Sequence, residues 1–176
     1  EDDLEPLAVG RASIRRRGCR VALLAFGSRL EAAMQAAAQI DASVVNMRFI
    51  KPLDTELVLA MAQQHALLVT IEENAIAGGA GSAVNEALAV KGVQCPVLNL
   101  GVPDRFIEHG TRDELLGALG LDSEGIAQAC RQMAARRRAR PRQGRPPRAP
   151  PHRRPRRAQR PRAPPHPKHA PLPGRR

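Results

Sequence analysis

Val21–Phe26, VALLAF, is a six-residue apolar run that breaks at Gly27-Ser28. That is the length of a buried strand, and the Gly-Ser pair supplies the turn that ends it. The period then changes. Leu30, Ala33, Met34, Ala37 and Ile40 recur at three- and four-residue spacing, which places them on one face of a helix packed against a sheet. Ser43–Phe49 (SVVNMRF) returns to β-branched residues and is stopped by Lys51-Pro52, where proline lacks an amide hydrogen for strand pairing. Asp54 or Thr55 is placed to cap the next helix, whose apolar face continues through Leu57, Val58, Met61 and Ala62. Ala66–Ile71 (ALLVTI) reads as a third strand, with Glu72-Glu73-Asn74 opening a polar loop that closes at Gly78-Gly79-Ala80-Gly81. Ser82 is expected to cap a helix running to about Val90, and Pro96–Leu100 (PVLNL) reads as a fourth strand. Thr111 and Glu114 have the spacing of a capping box before a short helix. A last helix is expected from Ser123 through Gln132, with the fold ending near Met133.

Strand and helix therefore alternate four times, with connections long enough for crossovers. The expected fold is an α/β three-layer sandwich with a mainly parallel sheet of four to five strands and helices on both faces. The near-continuous apolar strands agree, because parallel strands are covered on both sides.

Outside this core the composition shifts sharply. From Arg131 onward the chain holds 17 of its 28 Lys and Arg, 12 of its 16 Pro and no acidic residue. The preceding residues carry 11 basic against 17 acidic groups, so the formal charge of +11 comes from the tail. Three segments follow: a linker over 1–17 from missing upstream domains, a domain over 18–133, and an Arg/Pro-rich tail over 134–176. Self-repelling charge and scarce apolar side chains predict disorder in the tail. Its arginines would bind polyanions such as nucleic acid through phosphate neutralisation. No aromatic residue follows Phe106, so there is no ring on which bases could stack, and such binding would be nonspecific. The tail reads either as GC-rich DNA in a shifted frame or as a genuine polybasic extension.

Three widely spaced cysteines without a CxxC pair fit a reducing, cytoplasmic setting rather than zinc or redox chemistry. No apolar run approaches the ~20 residues that span a bilayer, and the acidic opening EDDLEP is unlike a signal peptide. Without an initiator Met, the chain is expected to begin inside a longer protein.

Few residues suggest chemistry. The GGAGS loop ahead of a helix could hold an anion on backbone amides, or Gly78, Gly79 and Gly81 could simply permit a tight turn and close packing. Glu72 and Glu73 stand at a strand end, where α/β sheets place ligands. Neighbouring strand residues point to opposite faces, so an interface or capping role is favoured over paired acid-base work. His65 and His109 lack metal-ligating partners and read as surface or loop residues. Asp104-Arg105 could form a local ion pair, while Phe106 and Ile107 on the same loop suggest an interface. Ser28 and Ser82 lack the setting of a nucleophile.

Read as strings, MRFIKPLD (Met47–Asp54), VTIEENAIAGGAGSAVNEAL (Val69–Leu88) and PVLNLGVPDRFIEHG (Pro96–Gly110) closely resemble the C-terminal domain of the 1-deoxy-D-xylulose-5-phosphate synthase family, a transketolase-type fold. The resemblance runs unbroken over about residues 5–132. It implies a parent homodimer that joins pyruvate to D-glyceraldehyde 3-phosphate with thiamine diphosphate and Mg²⁺. It also implies that N-terminal and pyrimidine-binding domains carrying the cofactor motifs lie upstream. No catalytic, cofactor or metal residue carries over to this chain. The candidate contacts with the other domains or the dimer partner are Glu72, Glu73, Asn74, Gly78, Gly79, Gly81, Asp104, Arg105, Phe106 and His109.

Overall fold

The computed structural model describes residues 6–139. Five strands form one sheet: β1 (Ser13–Arg16), β2 (Val21–Ala25), β3 (Ser43–Asn46), β4 (Leu67–Ala75) and β5 (Val97–Val102). Their order is β1-β3-β2-β4-β5; β1 runs antiparallel at one edge and the other four are parallel. The helices are α1 (Leu30–Ile40), α2 (Thr55–Gln64), α3 (Ala80–Val90), α4 (Arg112–Ala118) and α5 (Ser123–Ala139).

Alternation along β2 explains the layers. Leu23 and Ala25 join Val44, Val69 and Ile71 beneath α1 and α5, whereas Ala22 and Leu24 join Val45 and Leu68 beneath α2 and α3. Both faces are thus covered, as a parallel sheet requires. Each fully buried leucine contributes about 1.5–3 kcal/mol relative to exposure. Asp54 caps α2 through Leu57 N, and the Thr111–Glu114 capping box opens α4.

Several boundaries differ from the sequence-based expectation. Ser13–Arg16 lies in the stretch expected to be linker, yet it pairs with β3 as an edge strand. β4 does not stop at Ile71: it continues to Ala75 across a register irregularity that contains Glu72, Glu73 and Asn74. α3 begins at Ala80 rather than being capped by Ser82, and α5 runs on to Ala139, past the expected end near Met133. Arg137 donates to the Ala66 carbonyl at 2.8 Å, which ties that extra turn to the start of β4. The expected disorder and polyanion binding of the tail concern residues that lie almost entirely outside those described.

Candidate functional site

Parallel strands deliver their following loops to one edge of the sheet. Here the loops after β2, β3, β4 and β5 all emerge together, and β1, being antiparallel, starts there with Ser13 opposite Asn46. Adjacent strands β2 and β4 send their chains to helices on opposite faces, α1 and α3. This divergence creates the crevice in which open α/β sheets bind ligands. All ten of the sequence-selected contact residues lie on or beside this edge.

Glu72 enters the crevice region from the irregular part of β4 and is buried, at 2% exposure. Its two carboxylate oxygens accept from the amides of Ala80 and Gly81, each at 2.8 Å. These are unpaired donors of the first turn of α3, so the carboxylate both satisfies them and faces the positive end of the helix. The anion that the GGAGS loop could have held is therefore the protein's own. A diphosphate or phosphate arriving here would find the amides taken and a carboxylate opposing it. Gly79 is required by this arrangement: a Cβ on it would overlap the Ala75 carbonyl oxygen and lie 2.5 Å from Glu72 Oε2. Gly78 supplies the turn with φ +74°, and Ser82 accepts from its amide at 3.1 Å.

Glu73 points the other way, as adjacent strand residues must. It sits in the β2/β4 crevice with Ser28, Arg29 and Arg112. Ser28 donates to its Oε1 at 2.6 Å, and Arg112 donates to the same oxygen at 2.7 Å. The buried Arg29 places Nε 2.6 Å from that oxygen without the angle of a hydrogen bond, an ion pair that is chiefly Coulombic, and donates from Nη1 to the Leu121 carbonyl at 3.1 Å. Partial burial pushes the Glu73 carboxyl upward, but the Ser28 hydrogen bond and the two guanidinium groups outweigh it and hold the group below its ordinary value. The crevice is thus occupied by an internal latch joining η1 (Gly27–Arg29), β4, α4 and the α4–α5 turn. Arg29 and Arg112 were not singled out from sequence; each is an arginine whose partner lies 39 to 44 residues away in the chain.

The loop after β5 is looser. Arg105 N bonds the Pro103 carbonyl at 2.8 Å, but no Asp104–Arg105 ion pair occurs among the described residues. Phe106 is 90% exposed, and Asp104, Arg105 and His109 are also exposed. Asn74 is exposed beside the GGAGS turn.

His65 is not a surface residue. It is buried at the end of α2, with Nδ1 2.9 Å from the Met61 carbonyl and Nε2 2.8 Å from Ser43 Oγ. Ser43 Oγ also lies within bonding distance of both the amide and the carbonyl of Gly18. Since a carbonyl can only accept, Nδ1 donates to Met61, while Nε2 shares a hydrogen bond with the Ser43 hydroxyl. This joins α2, β3 and the turn before β2. Among the described residues no group of His, Cys, Asp or Glu could hold a metal ion.

With this geometry in place, the comparison with known proteins is direct. Residues 10–126 match the family described as Transketolase, C-terminal domain. The chain belongs to the transketolase C-terminal domain family. Its curated relatives include the 1-deoxy-D-xylulose-5-phosphate synthases of Thioalkalivibrio sulfidiphilus, 62% identical over 128 residues, and Dechloromonas aromatica, 57% identical over 131. These alignments cover 73% and 74% of the chain but only 20% and 21% of the relatives, so the chain spans about one fifth of their length. A solved structure titled "Split gene transketolase, inactive beta4 tetramer" superposes with a TM-score of 0.67 at 34% identity, covering 72% of this chain and 43% of that one.

Proposed function

We propose that this chain is the C-terminal domain of a 1-deoxy-D-xylulose-5-phosphate synthase, serving to pack the parent enzyme's domains and its dimer rather than to perform chemistry. The observation that carries the reading is 62% identity over 128 residues to one such synthase, confined to one fifth of that relative's length. In the parent, pyruvate and D-glyceraldehyde 3-phosphate would condense with loss of carbon dioxide, feeding isoprenoid, thiamine and pyridoxal synthesis in the cytoplasm.

Thiamine diphosphate and Mg²⁺ would supply the parent's carbanion chemistry, and the described residues do not fit either group. The glycine-rich helix start faces Glu72 instead of an open anion site, and the arginines of the crevice are both paired with Glu73. We therefore assign cofactor binding to the upstream domains. The role left to this domain is contact, through the loops after β4 and β5 and the residues Asn74, Asp104, Arg105, Phe106 and His109.

The test is to replace the C-terminal domain of the 57%-identical synthase with residues 6–132 of this chain and assay product formation from pyruvate and D-glyceraldehyde 3-phosphate. The chimaera should turn over with added thiamine diphosphate and Mg²⁺, and this chain alone should not. Turnover by the isolated chain, or a folded but inactive chimaera, would refute the reading.

A further inference from the structure

We propose that the cleft between the second half of α5 and the starts of β2 and β4 binds an amphiphilic anion: an unbranched alkyl chain that ends in a carboxylate. The site is independent of the functional reading above and lies at the sheet edge opposite the glutamate-filled crevice. Two depressions adjoin there, of about 290 and 220 Å³, and both are lined by Arg20, Val21 and Ala134. The larger extends to Ile40 and Cys130, the smaller to Leu67 and Arg137. Cys130, Ala134 and Arg137 stand beyond residues 10–126, so this wall of the cleft is not something the family match covers.

The floor is apolar because the core reaches the surface here. Val21 and Ile40 are only half-buried, although they pack against the cluster that contains Leu67 and Cys130. Ala134, one turn beyond Cys130, is exposed and has no side chain long enough to cover them. Burial pushes the Cys130 thiol up to about 11, so it adds a neutral surface near pH 7. An alkyl chain laid along this floor would take apolar surface on both sides out of water, the main drive for such association.

Charge at the rim selects the head group. Arg131 is already committed, with Nη1 to Glu124 at 3.3 Å and Nη2 to Gln39 at 3.0 Å. Arg137 donates from Nη1 to the Ala66 carbonyl at 2.8 Å, which fixes the guanidinium beside the smaller depression without pairing its charge. Neither Arg20 nor Arg137 has a carboxylate partner among the described residues. The end of α1 contributes a partial negative charge of roughly half an elementary unit, less than these two full cations. A carboxylate set between Arg20 and Arg137 would accept charge-assisted hydrogen bonds, and its chain would run over Val21 toward Ile40. A phosphate or a nucleic-acid backbone has no use for the apolar floor, and an alkylammonium would be repelled by the rim.

Octanoate, 1-octanol and octylammonium carry one chain on three heads, and amide NMR of the 176-residue chain tells them apart. Millimolar octanoate should shift the amides of Val21, Leu67 and Ala134 saturably, octanol should bind at least about tenfold more weakly, and octylammonium should shift none of them. Arg20→Gln, at an exposed side chain, should weaken octanoate at least about tenfold and leave the melting temperature unchanged. Ala134→Trp should abolish the shifts by filling the cleft from an exposed position, whereas Val90→Trp, at the exposed end of α3, should leave them intact. Equal affinity for octanoate and octanol would overturn the proposal, and this comparison needs no variant to fold. Octanoate shifts that survive Ala134→Trp would overturn it too. So would equal shifts of the same amides by inorganic phosphate, or by phosphatidylglycerol vesicles where octanoate gives none, in favour of a plain anion site or a membrane surface.

Discussion

Replacing Glu72 should cost this domain more stability than replacing any exposed carboxylate. The carboxylate accepts two amide bonds of 2.8 Å from Ala80 and Gly81, both buried, so water cannot take its place. Leaving a buried donor unpaired costs about 1–3 kcal/mol, and two are orphaned in Glu72→Ala. Removing the charge also relieves its burial cost, which offsets part of the loss. The expected net effect is about 3 kcal/mol, against typical total stabilities of 5–15 kcal/mol. For a domain of this size unfolding entropy converts that to a fall in melting temperature of about 10 °C. Glu72→Gln keeps one acceptor oxygen but turns an amide group toward the second donor, and should lose about half as much. Far-UV circular dichroism melts of the 176-residue chain measure both. Formate or phosphate should partly restore Glu72→Ala by occupying the vacated helix start, while leaving the amides of Gly79–Ala83 in the unaltered chain unshifted by NMR. Full stability in Glu72→Gln, or phosphate-dependent amide shifts in the unaltered protein, would refute the assignment of Glu72 as the resident anion of α3.

The same geometry predicts that Gly79→Ala destabilises the fold by at least about 2 kcal/mol in urea titration, because its Cβ meets Glu72 and the Ala75 carbonyl together. Glu73 has a lowered folded pKa, so the stability it contributes is full above its ordinary value near 4.5 and is lost as pH falls through the lower folded value. Glu73→Gln should flatten that acid limb and cost about 1–2 kcal/mol near neutral pH, chiefly by leaving the buried Arg29 unpaired, with the partial exposure of Glu73 limiting the effect. In native protein Cys19 should react with a thiol reagent well before Cys130, which is buried with its thiol pushed up to about 11, and mass spectrometry of timed aliquots would reveal the reverse order.

What could be read from the sequence follows from where the information lies. β2 and β3 announce themselves because burial on both faces demands an apolar run, and α4 because its capping box is purely local. β1 was unreadable: three of the four residues Ser13–Arg16 are polar, and only its antiparallel pairing with β3 makes it a strand. The end of β4 misled for a related reason. Two glutamates in succession look like solvated loop, yet one of them is buried by a helix start eight residues further on. His65 likewise reads as surface until Ser43, 22 residues away in the chain, is brought within 2.8 Å. Distant partners of this kind leave no periodicity.

These long-range pairings also fill the edge at which open α/β sheets place their ligands. The fold supplies its two usual anion sites, a glycine-rich helix start and a crevice between diverging strands, and each is closed by one of two consecutive glutamates facing opposite ways. Glu72 occupies the helix start; Glu73 pairs with both arginines. What remains exposed along that edge mixes two large apolar residues, Ile50 and Phe106, with the polar Lys51, Asn74, Asp104, Arg105 and His109.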